Sequence, residues 1–557
     1  MKPFALLCAL VVVLCPTLSA QEKADRIYVH SLIWTGDPQQ PSAEAFAVRG
    51  DRIVAIGSEA DVRKFAGGET ATIDLHGARV VPGFNDAHWH FSTNRDADLA
   101  DSGNVEELQR RLREFAAKNS SSQWLTGRGW GYTDFPNRLP DKKYLDAVIP
   151  DRPVFIWERD GHMGVANAMA LAIAGVSAAT PDPQHGRIER DRKGQPTGEL
   201  KEAAMELVTA KIPPPSSEEY YQALRQTMDQ AASYGITSLQ EASAGLSPAE
   251  MSAFERVLAE GNFTVRFYVS IPLLKHATDS DFARFDSLRK AFRGPLLKFG
   301  SAKGMLDGTV DAKTALMMAP YVGGGNGIPM WTQAELDAAV ARYDQAGFQI
   351  WLHAIGDQSI HMALDAYENA AQQNGTSGRR HRVEHAEVPD LQDYSRFKRL
   401  GVIASTQALF ANPDATTLNN YALLLGPARA SHANAFKLFD DAGAVQAFGS
   451  DHPVFSMEVL RGIYCAVTRA TPEGTPTGGW YPQNRISVEA ALSHFTRDAA
   501  FASFDEQSKG TLAAGKLADF VVLSDDIFSE PVEAVLKTRV MLTVMGGRVT
   551  YRGPEPK

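Results

Sequence analysis

The chain has 557 residues, 44% hydrophobic and 22% charged, an ordinary globular composition that excludes a disordered, collagenous or coiled-coil protein. Acidic residues outnumber basic ones 66 to 56, and the net charge of −10 argues against a general binder of nucleic acid or anionic membrane. The length allows several domains, or one barrel enzyme carrying insertions and small additions.

Residues 1–20 open with Lys2, run apolar from Phe4 to Cys15, and end in Pro16-Thr-Leu-Ser-Ala20. This pattern predicts a cleaved secretory signal and a mature protein that is exported, periplasmic or secreted. The apolar run is too short to span a bilayer comfortably and no later segment is long and apolar enough, so no membrane insertion is expected once the signal is removed. Cleavage removes Lys2 and takes the net charge from −10 to −11. It also removes Cys8 and Cys15, leaving Cys465 without a partner for an intramolecular disulfide.

Residues 25–80 alternate apolar and polar positions, with Gly50-Asp51 placed as a hairpin turn. The last fifty residues have the same style in Asp519–Ser524, Val540–Val544 and Gly547–Tyr551. The two ends, 21–80 and 505–557, are expected to pair into one small antiparallel β domain of sandwich type.

Between them, short β-like runs alternate with helical stretches such as Glu218–Tyr234, Gln333–Ala346, Ser359–Gln373 and Val488–Ala502. The candidate strands are Val80–Asp86, Ile236–Glu241, Val265–Ile271, Phe299–Leu306, Phe348–His353, Arg382–His385, Val402–Thr406 and Val445–Gly449. Eight strands in such an alternation predict an α/β fold, a (β/α)8 TIM barrel over about residues 81–504. The long gap after the first strand calls for an insertion at about 95–215, carrying Trp124, Trp130, Tyr132, Phe155 and Trp157.

In Val81-Pro-Gly-Phe-Asn-Asp-Ala-His-Trp-His90, alternate side chains of an extended segment share a face, so His88 and His90 point into the same space and are able to chelate one metal ion. Alone, such a pair is equally explained by packing. His353, His385 and Asp451 each fall near the carboxyl end of a proposed barrel strand, where barrel active sites are built. Lys303 sits in the apolar and small-residue run Phe299–Leu306. Its burial calls either for an ion pair with Asp307, Asp311 or Asp451, or for a deprotonated amine that takes up carbon dioxide as a carbamate able to bridge two metals.

The chain resembles the amidohydrolase superfamily, in the branch of metal-dependent hydrolases similar to N-substituted formamide deformylases. The resemblance covers nearly all of the mature chain and rests on Pro82–His90, Asp160-Gly-His162, Gly235-Ile-Thr-Ser238, Lys303-Gly-Met-Leu-Asp-Gly308, His353-Ala-Ile-Gly-Asp357, Arg382-Val-Glu-His385, Gly449-Ser-Asp451 and Gly515–Leu523. It implies a barrel beside a small β domain built from both termini. It also implies that His88 and His90 bind one metal, that His353 and His385 bind a second, that carbamylated Lys303 bridges them, and that Asp451 touches the first metal and the nucleophilic water. Such a donor set suits zinc best, with manganese or iron as alternatives. The implied reaction is hydrolysis of a carbon–nitrogen, non-peptide bond in a small amide or N-substituted formamide, with Asp451 as general base and then general acid.

His162 is a candidate to hydrogen-bond the substrate, with Trp89 and Trp157 as an apolar wall; the alternative is a loop histidine and insertion-core tryptophans. Tyr321-Val-Gly-Gly-Gly-Asn-Gly327 is expected to form a mobile active-site loop rather than a phosphate loop. No G-x-S-x-G, H-E-x-x-H or C-x-x-C motif supports a serine hydrolase, a zincin or a thiol redox protein. A deaminase or an ester or lactone hydrolase would use the same residues, and a catalytically silent exported binding or regulatory protein is the reading from another class. The expected partner is a small-molecule substrate, not nucleic acid, and a homodimer is the default assembly.

Overall fold

The computed structural model describes residues 23–93, 95–375 and 378–554; the expected secretory signal at 1–20 lies outside them. Its centre is an eight-stranded parallel sheet in sequence order: β1 (Phe84–Trp89), β2 (Ile236–Glu241), β3 (Arg266–Pro272), β4 (Leu297–Met305), β5 (Gln349–Ala354), β6 (Arg382–His385), β7 (Ile403–Gln407) and β8 (Gln446–Gly449). Helices such as Ser217–Ser233, Pro248–Glu260, Gln333–Gln345 and Asp357–Asn374 cover the outside. Burial on both faces explains why these strands read as nearly continuous runs of apolar and small residues. Leu224, Phe254, Phe267, Val269, Leu336, Ile350, Ala363 and Phe448 lie in the apolar core of this barrel.

The sheet closes where β8 meets β1. The Asp451 amide donates to the His88 carbonyl at 2.7 Å, and the His90 amide donates to the His452 carbonyl at 2.9 Å. Gly449 permits the approach, since a Cβ there would lie 2.4 Å from the His88 nitrogen. The segment expected as one strand, Val80–Asp86, is two elements. Arg79–Pro82 belongs to a terminal sheet, and after Gly83 the chain enters β1. The Gly83 amide donates to the Asp519 carbonyl at 2.9 Å, which marks the handover between modules.

The terminal module has two sheets. One comprises Arg52–Gly57, Ala45–Arg49, Arg26–Val29 and Ala71–Asp74; the other comprises Arg548–Arg552, Val540–Met545, Phe520–Leu523, Arg79–Pro82, Leu32–Trp34 and Ser42–Ala43. Tyr28 stacks on Phe46 with ring centroids 4.7 Å apart, and both rings meet Phe520 edge-on across the interface. The module is not wholly antiparallel: Arg26–Val29 pairs parallel with Ala71–Asp74, and Leu32–Trp34 pairs parallel with Arg79–Pro82.

The insertion after β1 carries a six-stranded mixed sheet ordered Gly186–Arg190, Pro196–Glu202, Met163–Ala166, Val154–Glu158, Leu125–Trp130 and Ala97–Asp98. Leu108 and Leu112 of helix Val105–Lys118 pack with Leu125 and Ile156 of that sheet. The Tyr321–Gly327 segment is a bonded turn rather than an active-site loop: Tyr321 is buried, its amide donates to the Gly325 carbonyl, and its hydroxyl donates to the Ala315 carbonyl. None of its residues lines the main cavity. Among the described residues, no helix is long and apolar enough to cross a membrane, and Cys465 is a buried free thiol.

Candidate metal centre

A cavity of about 610 Å3 opens at the carboxyl ends of the barrel strands, with the strands as floor and the insertion as one wall. On the floor, His88 and His90 leave β1 on the same side, their Nε2 atoms 3.2 Å apart. Asp451 Oδ1 lies 2.9 Å from His90 Nε2 and 3.4 Å from His88 Nε2. Lys303 Nζ lies 3.4 Å from His88 Nε2. The ring of His385 packs on those of His88 and His353, with centroids 4.7 and 4.5 Å away. Donor atoms of His88, His385 and Asp451 all lie within 4.8 Å of one another. The six residues implied as ligands thus converge at one place.

Their orientation comes from residues to which the sequence reading assigned no role, two of them inside the motif Arg382-Val-Glu-His385. The Arg382 guanidinium is fully buried, donates to both carboxylate oxygens of Glu384 at 2.7 and 2.9 Å, and donates to the Ala87 carbonyl and Ser405 hydroxyl. Glu384 in turn accepts from His88 Nδ1 at 2.5 Å, which leaves Nε2 of that ring as a lone pair facing the site. His385 Nδ1 bonds Gln407 Oε1 at 2.9 Å, and His90 Nδ1 meets Ser243 Oγ at 3.1 Å. His385, Ala386 and Asp451 have left-handed φ of 71°, 47° and 57°, backbone strain concentrated beside the donor atoms.

Burial, reinforced by Lys303 and by neighbouring imidazoles or Arg382, holds His88, His353 and His385 well below the usual histidine range, so all three are neutral near pH 7. Lys303 is 2% exposed and forms no ion pair with a carboxylate of the described residues, which removes the pairing with Asp307, Asp311 or Asp451 as its explanation. Burial lowers its pKa, partly opposed by Glu384 and Asp451. Asp307 is committed elsewhere: it accepts from the amides of Leu316, Ile355 and Gly356 and from the Ser359 hydroxyl.

These donors fit a cation. Asp451 Oδ1 is buried and accepts no hydrogen bond, although two imidazole nitrogens stand beside it. Neutral imidazoles with lone pairs turned inward, a carboxylate and a buried amine form a set that a divalent metal completes.

The wall is built differently. Trp157 and His162 line the cavity, His162 held by Glu202 at 3.0 Å. Burial opposes the charge on His162, but Glu202 outweighs it and raises the pKa to about 9. Glu202 has a φ of 50°, and its Oε1 fits against Gly308, where a Cβ would lie 1.9 Å from it. Trp89 does not belong to this wall. It alternates with His88 and His90 on β1, so its indole points away from the cavity and is fully buried against Phe91 and Phe267.

The family model described as "Amidohydrolase family" matches residues 71–551. Protein LONG AFTER FAR-RED 3 of Arabidopsis thaliana is 33% identical over 546 residues, 95% of this chain and 92% of that protein. N-substituted formamide deformylase of Arthrobacter pascens is 27% identical over 552 residues, 95% of this chain and 98% of its own. The crystal structure of an uncharacterized metal-dependent hydrolase from Pyrococcus horikoshii superimposes with a TM-score of 0.71 at 23% identity, covering 91% of this chain and 99% of that one.

Proposed function

The chain belongs to the amidohydrolase family, a superfamily of metal-dependent hydrolases, and from that membership we propose that it is a zinc enzyme hydrolysing a carbon–nitrogen, non-peptide bond in a small amide or N-substituted formamide. The observation that carries this reading is the convergence of His88, His90, Lys303, His353, His385 and Asp451 on one floor, with an Asp451 oxygen left unbonded beside the imidazoles. His88 and His90 would hold one ion, His353 and His385 the other, and Lys303, whose amine burial makes less basic, would stand between them once carbamylated. Two such ions, when bound, supply an acidified water and polarise the substrate carbonyl. Asp451 takes the proton of the attacking water at its carboxylate and passes it to the leaving nitrogen, so a C–O bond forms as the C–N bond breaks. Glu384, itself clamped by Arg382, holds the His88 ring in the tautomer that this arrangement needs.

The formamide-directed name of the Arthrobacter relative supports the choice of substrate class. The signal-like residues 1–20 support an exported protein, periplasmic or secreted. The test is metal content per chain after growth with zinc and bicarbonate, for the wild type and Lys303→Ala, with formate release followed on a panel of N-substituted formamides. Two metals, falling to one or none in the variant, and formate release are the expected results. One metal unaffected by the variant would favour a mononuclear, deaminase-like site, and absence of metal after reconstitution would overturn the reading.

A further inference from the structure

The insertion wall contains a cation that no carboxylate of the described residues pairs. Arg128, on strand Leu125–Trp130, lines the cavity beside Trp157, with its guanidinium 5.5 Å over the indole. Its Nε is shut off from solvent and has no hydrogen-bond partner. Its guanidinium makes no hydrogen bond or ion pair with any described residue. Neighbouring Arg159, by contrast, is paired with Asp414 at 2.7 Å and with Asp101 at 3.2 Å. Gly161 leaves room for the guanidinium: a Cβ there would come within 3.2 Å of Nη1. The side chain is half-buried, with Nε shut off and unpartnered, and a planar donor fork held at the cavity without an acceptor has the geometry that matches a carboxylate.

The rest of the lining narrows the ligand. Among the described residues lining the cavity, the only other lysine or arginine is Lys303, which belongs to the floor with Asp451, whereas Asp160, Glu202, Glu206 and Glu387 of the remaining lining are acidic. Glu202 is taken up by His162, so among the described residues of the wall one unpaired guanidinium is left, and it suits one negative charge. Phe91, Met205, Met305, Met330 and Phe410 add an apolar surface to the same space.

We propose that Arg128 receives a single carboxylate of the substrate, so that the compounds turned over are N-acyl amines bearing one carboxylate near the scissile bond and an apolar group beyond it. This rests on the carbon–nitrogen hydrolase reading for its chemistry, while its test is a binding measurement that stands apart from turnover. Calorimetry on the metal-loaded protein compares N-acetyl-L-phenylalanine with its neutral carboxamide, N-acetyl-L-phenylalaninamide. The wild type is expected to bind the acid about tenfold or more tightly than the amide. Arg128→Gln should lose that preference with metal content unchanged, and Arg128→Lys, keeping the charge without the planar fork, should keep part of it. Equal affinity for acid and amide in the wild type, or no binding of either, overturns the proposal without use of any variant. A preference that survives in Arg128→Gln also overturns it, because the carboxylate would then be held by the metals. Absence of hydrolysis of every amide tested, with the preference intact, would sink the hydrolase reading and leave Arg128 as the carboxylate receptor.

Discussion

The floor and the wall of the cavity treat histidine in opposite ways. On the floor, burial keeps His88, His353 and His385 neutral, and Glu384 and Gln407 turn His88 and His385 so that a nitrogen lone pair of each faces inward. On the wall, His162 has a carboxylate at 3.0 Å and holds a proton up to about pH 9. The barrel strands therefore contribute uncharged imidazoles beside the Asp451 carboxylate, and the insertion contributes a charged histidine that faces whatever occupies the cavity. Reaction type is a property of the first region and selectivity a property of the second.

The largest effect that would sharpen this contrast is His353→Ala, which should abolish turnover and lower metal content, measured together on folded protein. Retained activity would break the assignment of His353 to the floor. Next comes Trp89→Ala: on a fully buried indole it should cost ~3–5 kcal/mol in a denaturant titration, with KM of the surviving enzyme unchanged. A changed KM would return Trp89 to the wall.

A third kind of histidine supplies a control. His494 is buried and is not part of the cavity lining; burial opposes its charge, but bonds to Asp440 and Asp498 raise its pKa to about 9. Because the folded pKa lies above the unfolded value of about 6.5, this charge contributes stability below that pH and loses it as pH rises through about 9. Wild-type stability should fall by up to ~3 kcal/mol over that window, and His494→Gln should flatten the profile, as read from denaturation midpoints. Glu384→Gln should weaken metal affinity by ~10–100-fold without unfolding the barrel, checked by competition with a chelator. Trp157→Ala is the smallest: a severalfold rise in KM with the melting temperature and metal content close to wild type.

Much of the barrel was legible because a strand buried on both faces is dominated by apolar or small residues, with the larger polar ones confined to its ends in β5, β7 and β8. The donor residues were legible because each stands at or near the end of such a run. Trp89 was misplaced although the rule that joins His88 to His90 also turns the intervening residue away. Glu384 left a visible trace, a carboxylate inside the four-residue buried strand Arg382–His385, where only a buried partner such as His88 or Arg382 makes it tolerable. Gln407 stood visibly near a strand end, but nothing local gave it a role; Arg128, Ser243 and Glu202 left no trace, because their local sequence is ordinary and their roles arise from partners that folding brings near. The split of Val80–Asp86 was hidden because an apolar run does not reveal which of two sheets each half joins.

The seam between β1 and β8 gives the centre a second significance. The Ser450 amide donates to Asp86 across 364 residues of chain, next to the bonds that link His88 with Asp451 and His90 with His452. The donor atoms contributed by the first strand therefore meet Asp451 only after the last strand has been made and the circle has shut. Ions held at that junction would act as a clasp on the finished ring, and an incomplete chain would present isolated histidines with no carboxylate to complete the grip. Catalytic competence in such a molecule reports that the whole barrel has been assembled.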